Sequence, residues 1–116
     1  MAVEIPETLA HLRRLAEERE ARGEERRAAL EGFLPKAKEI LLERGASAVW
    51  VFGSVAMGGT RADSDLDLAT LGLPGEAYFE ALGELLRALP CDVDLVRLEE
   101  APESLRERVR AEGRGL

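Results

Sequence analysis

The sequence predicts an α+β (mixed α/β) domain built as a small mixed β-sheet with flanking helices. Three observations carry that expectation. At 116 residues the chain has the length of one ordinary domain and no room for a second core. Short apolar runs of strand type alternate along it with stretches of helical spacing, the pattern of a sheet covered by helices. With 46% hydrophobic residues, 34% charged residues and one cysteine, it can bury roughly two-thirds of its unfolded surface without a disulfide.

The elements follow in order. Residues 7 to 31 read as a helix, because Leu9, Leu12, Leu15 and Ala16 recur at helical spacing among Glu, Arg and Ala. Its apolar stripe is thin between Glu17 and Arg27, and Gly23 and Gly32 are candidate interruptions. Pro35 is a favourable first residue for a better helix through Ala37, Ile40 and Leu41 to Arg44, with Gly45 as its C-terminal cap. The boundary is drawn accordingly, with 1–32 as an N-terminal helical extension and 33–116 as the domain proper. Ala48–Phe52 is an unbroken apolar run of strand type that ends in Gly53-Ser54. Met57–Ala62 reads as a small-residue loop and Leu66–Leu71 as a second strand, closed by Gly72–Gly75. Glu76–Leu89 carries Tyr78, Phe79, Leu82, Leu85 and Leu86 at helical intervals and stops at Pro90. Asp92–Leu98 makes a third strand, and Ala101–Glu112 a final helix with Pro102 near its start.

Charge narrows the function classes. The formal net charge of −7 argues against a bare nucleic-acid groove, which needs clustered cations. No apolar run approaches the roughly 18 residues of a membrane span. Glu4 and Glu7 stand where a signal peptide would need cations, so the expected location is cytoplasmic. Cys91 is expected as a buried apolar filler. The partition of acids says more. Of 23 acidic residues 18 are Glu, spread over helical stretches, whereas the five Asp fall in two groups: Asp63, Asp65 and Asp67, then Asp92 and Asp94. Asp holds its carboxylate close to the backbone, so this bias suggests placement.

Three constellations follow from that reading. Gly53 to Thr60 is a glycine turn after a strand, where exposed amides and the Ser54 hydroxyl suit phosphate oxygens. It is no P-loop, because Gly59 occupies the position of the phosphate-binding Lys. In Asp65-Leu66-Asp67-Leu68, strand alternation sends the leucines to the core and both carboxylates to the opposite face. Such a pair suits Mg²⁺, which takes one or two carboxylates plus substrate phosphates. A calcium loop fails, since Leu68 and Pro74 replace its required Gly and Glu. In Asp92-Val93-Asp94-Leu95-Val96, the same alternation places Asp94 on that face if the two strands are neighbours. Each constellation alone has a plain structural reading as a turn or a solvated strand end. Their order and spacing are the specific signal.

Gly53-Ser54, Gly58, Ser64-Asp65-Leu66-Asp67-Leu68 and the distant Val93-Asp94-Leu95-Val96 resemble the minimal nucleotidyltransferase family of the DNA polymerase β-like superfamily. The resemblance runs from about Pro35 to the C-terminus and includes Val109–Gly113. It implies the nucleotidyltransferase fold and a reaction with two Mg²⁺ ions and a nucleoside triphosphate, with ATP as substrate. Gly53 and Ser54 match the nucleotide-binding positions that hold the terminal phosphates. Asp65 and Asp67 match the metal-binding pair, and Asp94 matches the third carboxylate, which binds metal and helps activate the attacking hydroxyl. Val55 and Met57 depart from the family, whose members often carry arginines in this turn. Family members often accompany a small helical partner of the HEPN type in toxin–antitoxin pairs. The partner's ribonuclease pattern is absent here, so the resemblance places this chain on the antitoxin side.

Other candidates have simpler explanations. His11, the only histidine, sits on a charged helix. Trp50 and Phe52 belong to a strand and read as core, and Arg97 as a surface ion-pair partner. Two rival functions remain in view. A non-catalytic binding module is favoured by Val55 and Met57, and transfer to a small molecule such as an antibiotic calls for a pocket completed in a homodimer.

Overall fold

The computed structural model describes residues 4–116, with side chains from Glu7 onward, and residues 1–3 of the expected extension lie outside it. Helix α1 (Glu4–Glu43) is followed by strand β1 (Ala48–Phe52), the single-turn helix α2 (Ser54–Met57) and strand β2 (Leu66–Leu71). Then come a 3-10 turn (Gly75–Ala77), helix α3 (Tyr78–Ala88), strand β3 (Val93–Arg97), a 3-10 turn (Leu98–Glu100), helix α4 (Glu103–Glu112) and the short strand β4 (Arg114–Gly115). The sheet order is β3-β2-β1-β4, with β1 antiparallel to β2 and β4, and β2 parallel to β3. The expected mixed sheet with helices is therefore the observed fold.

Strand alternation divides the apolar residues between two faces. Val49, Val51, Leu66, Leu68 and Leu95 enter a main core with Leu30, Leu34, Ala37, Ile40 and Leu41 of α1 and Ala81 and Leu85 of α3. Trp50, Phe52, Ala69 and Val96 lie on the other face, beneath Leu105 and Val109 of α4. Asp67 and Asp94 alternate with core residues and so belong to this second face. The last turn of α3 is closed by the Leu89 amide on the Leu85 carbonyl at 2.9 Å, and Pro90 follows where no helical amide is available.

The N-terminal half differs from expectation. Neither Gly23 nor Gly32 interrupts α1, and Pro35 is an interior residue of a 40-residue helix rather than the start of a new one. Pro35 leaves the Glu31 carbonyl without its helical amide, a cost of about 3 kcal/mol in an exposed helix. Leu30, Leu34, Ala37 and Leu41, all buried around it, offset that cost by packing on the sheet. Beyond Gly23 the helix stands clear, with Leu9 and Leu12 each more than half exposed. This overhang accounts for a longest dimension of 67 Å. Arg44, at the domain end of α1, donates to Glu84 and Glu80 of α3, each at 2.9 Å.

Smaller elements also went unforeseen. The single turn α2 occupies the head of the expected glycine turn, and β4 forms on the far edge of β1, with Trp50 opposite Gly115. Cys91 is only partly buried rather than core. Arg97 pairs with exposed Glu100 at 2.6 Å, as expected, but is itself mostly buried and also donates to the Leu73 carbonyl at 2.8 Å. His11 is exposed, as expected, and Phe52 is buried.

Candidate active site

The site forms where the C-terminal end of β1 meets the N-terminal ends of β2 and β3. Asp67 is in register with Asp94 on the parallel neighbour and with Phe52, the last residue of antiparallel β1. Neighbouring strands lie about 4.8 Å apart, so two carboxylates stand side by side on one face, as the alternation of both strands requires. Asp65 stands one residue before β2, exposed, and strand alternation does not place it. It is close enough to act on Asp67 electrostatically and also lines an open cleft of about 540 Å³ with Arg26, Asp63, Cys91 and Asp92.

Gly53 closes the site from the β1 side. Its φ of +70° favours glycine. A Cβ there would overlap Oδ2 of Asp67 and sit 3.0 Å from its Cγ. The residue after β1 must therefore have no side chain for the Asp67 carboxylate to occupy its place. Ser54, partly exposed, opens α2, and its carbonyl accepts from the Gly58 amide at 2.8 Å and the Thr60 hydroxyl at 3.2 Å. The turn that begins at Gly53-Ser54 is thus fixed from within. Of the two positions that depart from the family, Val55 is buried and serves packing, whereas Met57 is 60% exposed beside the site.

Electrostatics mark Asp67. Burial pushes its pKa up, the charge of Asp94 pushes it further, Arg108 opposes, and Asp65 adds to the rise. Ionised carboxylates gathered in this way repel one another, and a hard divalent cation relieves the repulsion. The donor set is all oxygen, at the starts of adjacent strands, and fits Mg²⁺ rather than a soft metal. Among the described residues no three such groups are drawn together tightly enough to enclose a cation as they stand.

Two residues near the site were not singled out as site residues from sequence. Arg108, on the helix that covers this face, is the cation whose field opposes the rise at Asp67. Its neighbour Val109, packed on the sheet, was the available signal. Tyr78 donates its hydroxyl to the Leu95 carbonyl at 2.6 Å, and its pKa is raised by burial and then by the charge of Asp94. It lay hidden in the apolar pattern of α3.

The mixed sheet with paired carboxylates beside a glycine turn defines a nucleotidyltransferase domain of the polymerase β type. The family model for polymerase beta nucleotidyltransferases matches residues 35–116. The chain belongs to that family, on its minimal nucleotidyltransferase branch, and is a nucleotidyltransferase by fold and family. A structure assigned as a minimal nucleotidyltransferase is 34% identical, with a TM-score of 0.63, 75% of this chain covered and 95% of that one. A chain of a toxin–antitoxin complex with AMP-PNP is 31% identical, with a TM-score of 0.63, 70% of this chain covered and 69% of that one. A chain from a complex of a tri-AMPylated HEPN toxin with an MNT antitoxin, from Shewanella oneidensis, is 27% identical, with a TM-score of 0.59 and coverage of 74% and 70%. No curated protein matches this chain at a significant level. No helix among the described residues is long and apolar enough to cross a membrane.

Proposed function

We propose that this chain transfers AMP from ATP to a hydroxyl of a HEPN-type toxin in the cytoplasm and so acts as the antitoxin of the pair. The observation that carries the reading is the side-by-side placement of Asp67 and Asp94, closed on one side by Gly53. Likeness to a complex containing AMP-PNP and to one containing an AMPylated HEPN toxin supports the nucleotide and the acceptor.

Asp65, Asp67 and Asp94 would hold two Mg²⁺ ions, which supply charge neutralisation at the α-phosphate and at the entering and leaving oxygens. Gly53 and Ser54 bind and orient the terminal phosphates through backbone amides and the Ser54 hydroxyl. Asp94, exposed near the start of β3, takes the proton of the acceptor hydroxyl, whose oxygen attacks the α-phosphorus as pyrophosphate leaves. Burial of Asp67 keeps its carboxylate fixed and short of water, so it is available to cations rather than to solvent.

Two labels test the reading. ATP labelled at the α-phosphate should pass its label to a cognate HEPN-type protein, and ATP labelled at the γ-phosphate should not. Absence of α-label on that protein, with label appearing on a small molecule such as an antibiotic instead, would move the assignment to the small-molecule alternative.

A further inference from the structure

We propose that the turns of α1 around Gly23 and Arg26, which precede the family region at residue 35, position Asp65 by clamping the segment Thr60–Ser64. The inference rests on reading Asp65 as a metal-binding carboxylate, and it makes Arg26 a positioning residue for the site. Gly23 is buried although Arg22 and Glu24 on either side are exposed. Glycine is unfavourable inside a helix, yet here a Cβ would overlap the carbonyl oxygen of Thr60 and lie 3.4 Å from its carbonyl carbon. The missing side chain lets α1 lie directly on the loop. One turn further on, the Nε of Arg26 donates to the carbonyl of Ser64 at 3.0 Å, across 38 residues of sequence.

The clamped segment is stiff in itself. The Arg61 amide donates to the Ser64 hydroxyl at 2.8 Å, and the Ser64 amide donates to the Arg61 carbonyl at 3.1 Å, closing residues 61–64 into one turn. On the other side of Asp65, the Leu66 amide donates to the Asp92 carbonyl at 3.1 Å and begins the β2–β3 ladder. Asp65 is thus a single residue between two anchored peptide groups. One anchor is the sheet. The other is α1.

A competing role for Arg26 makes the opposite prediction. Arg26 shares an open cleft with Asp63, Asp65 and Asp92. If it served only as a counter-charge there, its removal would deepen the negative potential and tighten cation binding. If it holds the Ser64 carbonyl, its removal frees the turn before Asp65 and weakens cation binding, because a displaced ligand must be reordered when the cation enters.

The test is a calorimetric titration of Mg²⁺ into the full chain with AMP-PNP held constant. Arg26→Ala should raise the half-saturating Mg²⁺ concentration about tenfold, the scale of one charge-assisted hydrogen bond lost. Arg26→Lys, which keeps a cationic donor, should stay within about threefold of the wild type. Gly23→Ala should move the midpoint in the same direction as Arg26→Ala, because it lifts the helix from Thr60. Gly32→Ala, whose Cβ meets nothing, should leave it unchanged. Amide hydrogen exchange over residues 61–65 should quicken in Arg26→Ala while the β1 and β2 amides keep their protection, which separates a local release from unfolding. An unchanged or lower Mg²⁺ midpoint in Arg26→Ala, or unchanged exchange over 61–65, overturns the proposal. If the wild type itself binds no nucleotide with Mg²⁺, the reading of the site fails rather than the clamp.

Discussion

Replacing Gly53 with alanine tests the geometry of the site most economically. In the native chain the Asp67 carboxylate occupies the space where a Cβ at position 53 would stand, with Cγ of Asp67 only 3.0 Å from it and Oδ2 nearer still. Carbon and oxygen rest comfortably at about 3.4 Å or more, so in Gly53→Ala the carboxylate oxygen must retreat by roughly 1 Å. A misplacement of that size in a catalytic group costs on the order of 100-fold in rate. The backbone adds a separate penalty of about 1–2 kcal/mol, because φ at Gly53 is positive. Gly59→Ala provides the comparison. Its φ is also positive, and its Cβ would meet nothing within 4 Å. Transfer of α-label from ATP would be measured in both variants, alongside thermal unfolding. Gly53→Ala should lose about 100-fold in kcat and Gly59→Ala only a few-fold, with a similar fall in melting temperature for both. Equal activities in the two variants would refute the argument that Gly53 exists to make room for Asp67.

Three further outcomes follow from burial and charge. Asp67 has a raised pKa, so the folded state binds a proton more readily than the unfolded state, and this group's stabilising share is lost as pH rises from the ordinary carboxylate range near 4 through the raised value. In metal-free buffer, therefore, Asp67→Asn should melt at a higher temperature than the wild type at pH 7, and the difference should vanish toward pH 3. Leu30 is fully buried in the main core although it precedes the family region, so Leu30→Ala should destabilise by about 2–5 kcal/mol in urea unfolding. A loss below 1 kcal/mol would mean that α1 does not pack there. The Thr70 hydroxyl is buried without a hydrogen-bond partner, and Thr70→Val should raise stability by about 1 kcal/mol, measured in the same unfolding experiment.

The legible parts of the sequence were those where a local rule and the tertiary structure agree. Period-two alternation at Leu66, Asp67 and Leu68, and at Val93, Asp94 and Leu95, was enough to put Asp67 and Asp94 on one face, because both strands pack one side on the same core. Gly53 was legible as a turn residue, but its reason was not. The collision with Asp67 involves a partner 14 residues away and exists only once β1 and β2 are paired.

Helix α1 shows the opposite case. Gly23, Gly32 and Pro35 are local breakers, and local rules divide the helix at each of them. Long-range contacts decide otherwise: Gly23 against Thr60, Leu30 and Leu34 in the core, and Arg114 of β4 paired with Glu31 at 2.7 Å. Asp65 illustrates a third situation. Its place depends on the Arg26 contact to Ser64 and on the Asp92 carbonyl, neither of which has any signature in residue spacing. Strand β4 escaped notice for a similar reason, since Arg114-Gly115 has no strand propensity and pairs only because β1 offers a free edge.

The central claim is that Asp67 and Asp94 act in transfer chemistry rather than in partner contact alone. The direct measurement is transfer of α-label from ATP to the HEPN-type protein by Asp67→Asn and Asp94→Asn, each also assayed for suppression of that protein's toxicity. Both variants should lose about 100- to 1,000-fold in transfer, on the scale of removing a principal catalytic group, and lose suppression with it. Suppression that persists undiminished in variants unable to transfer label would contradict it and would make the chain a binding module.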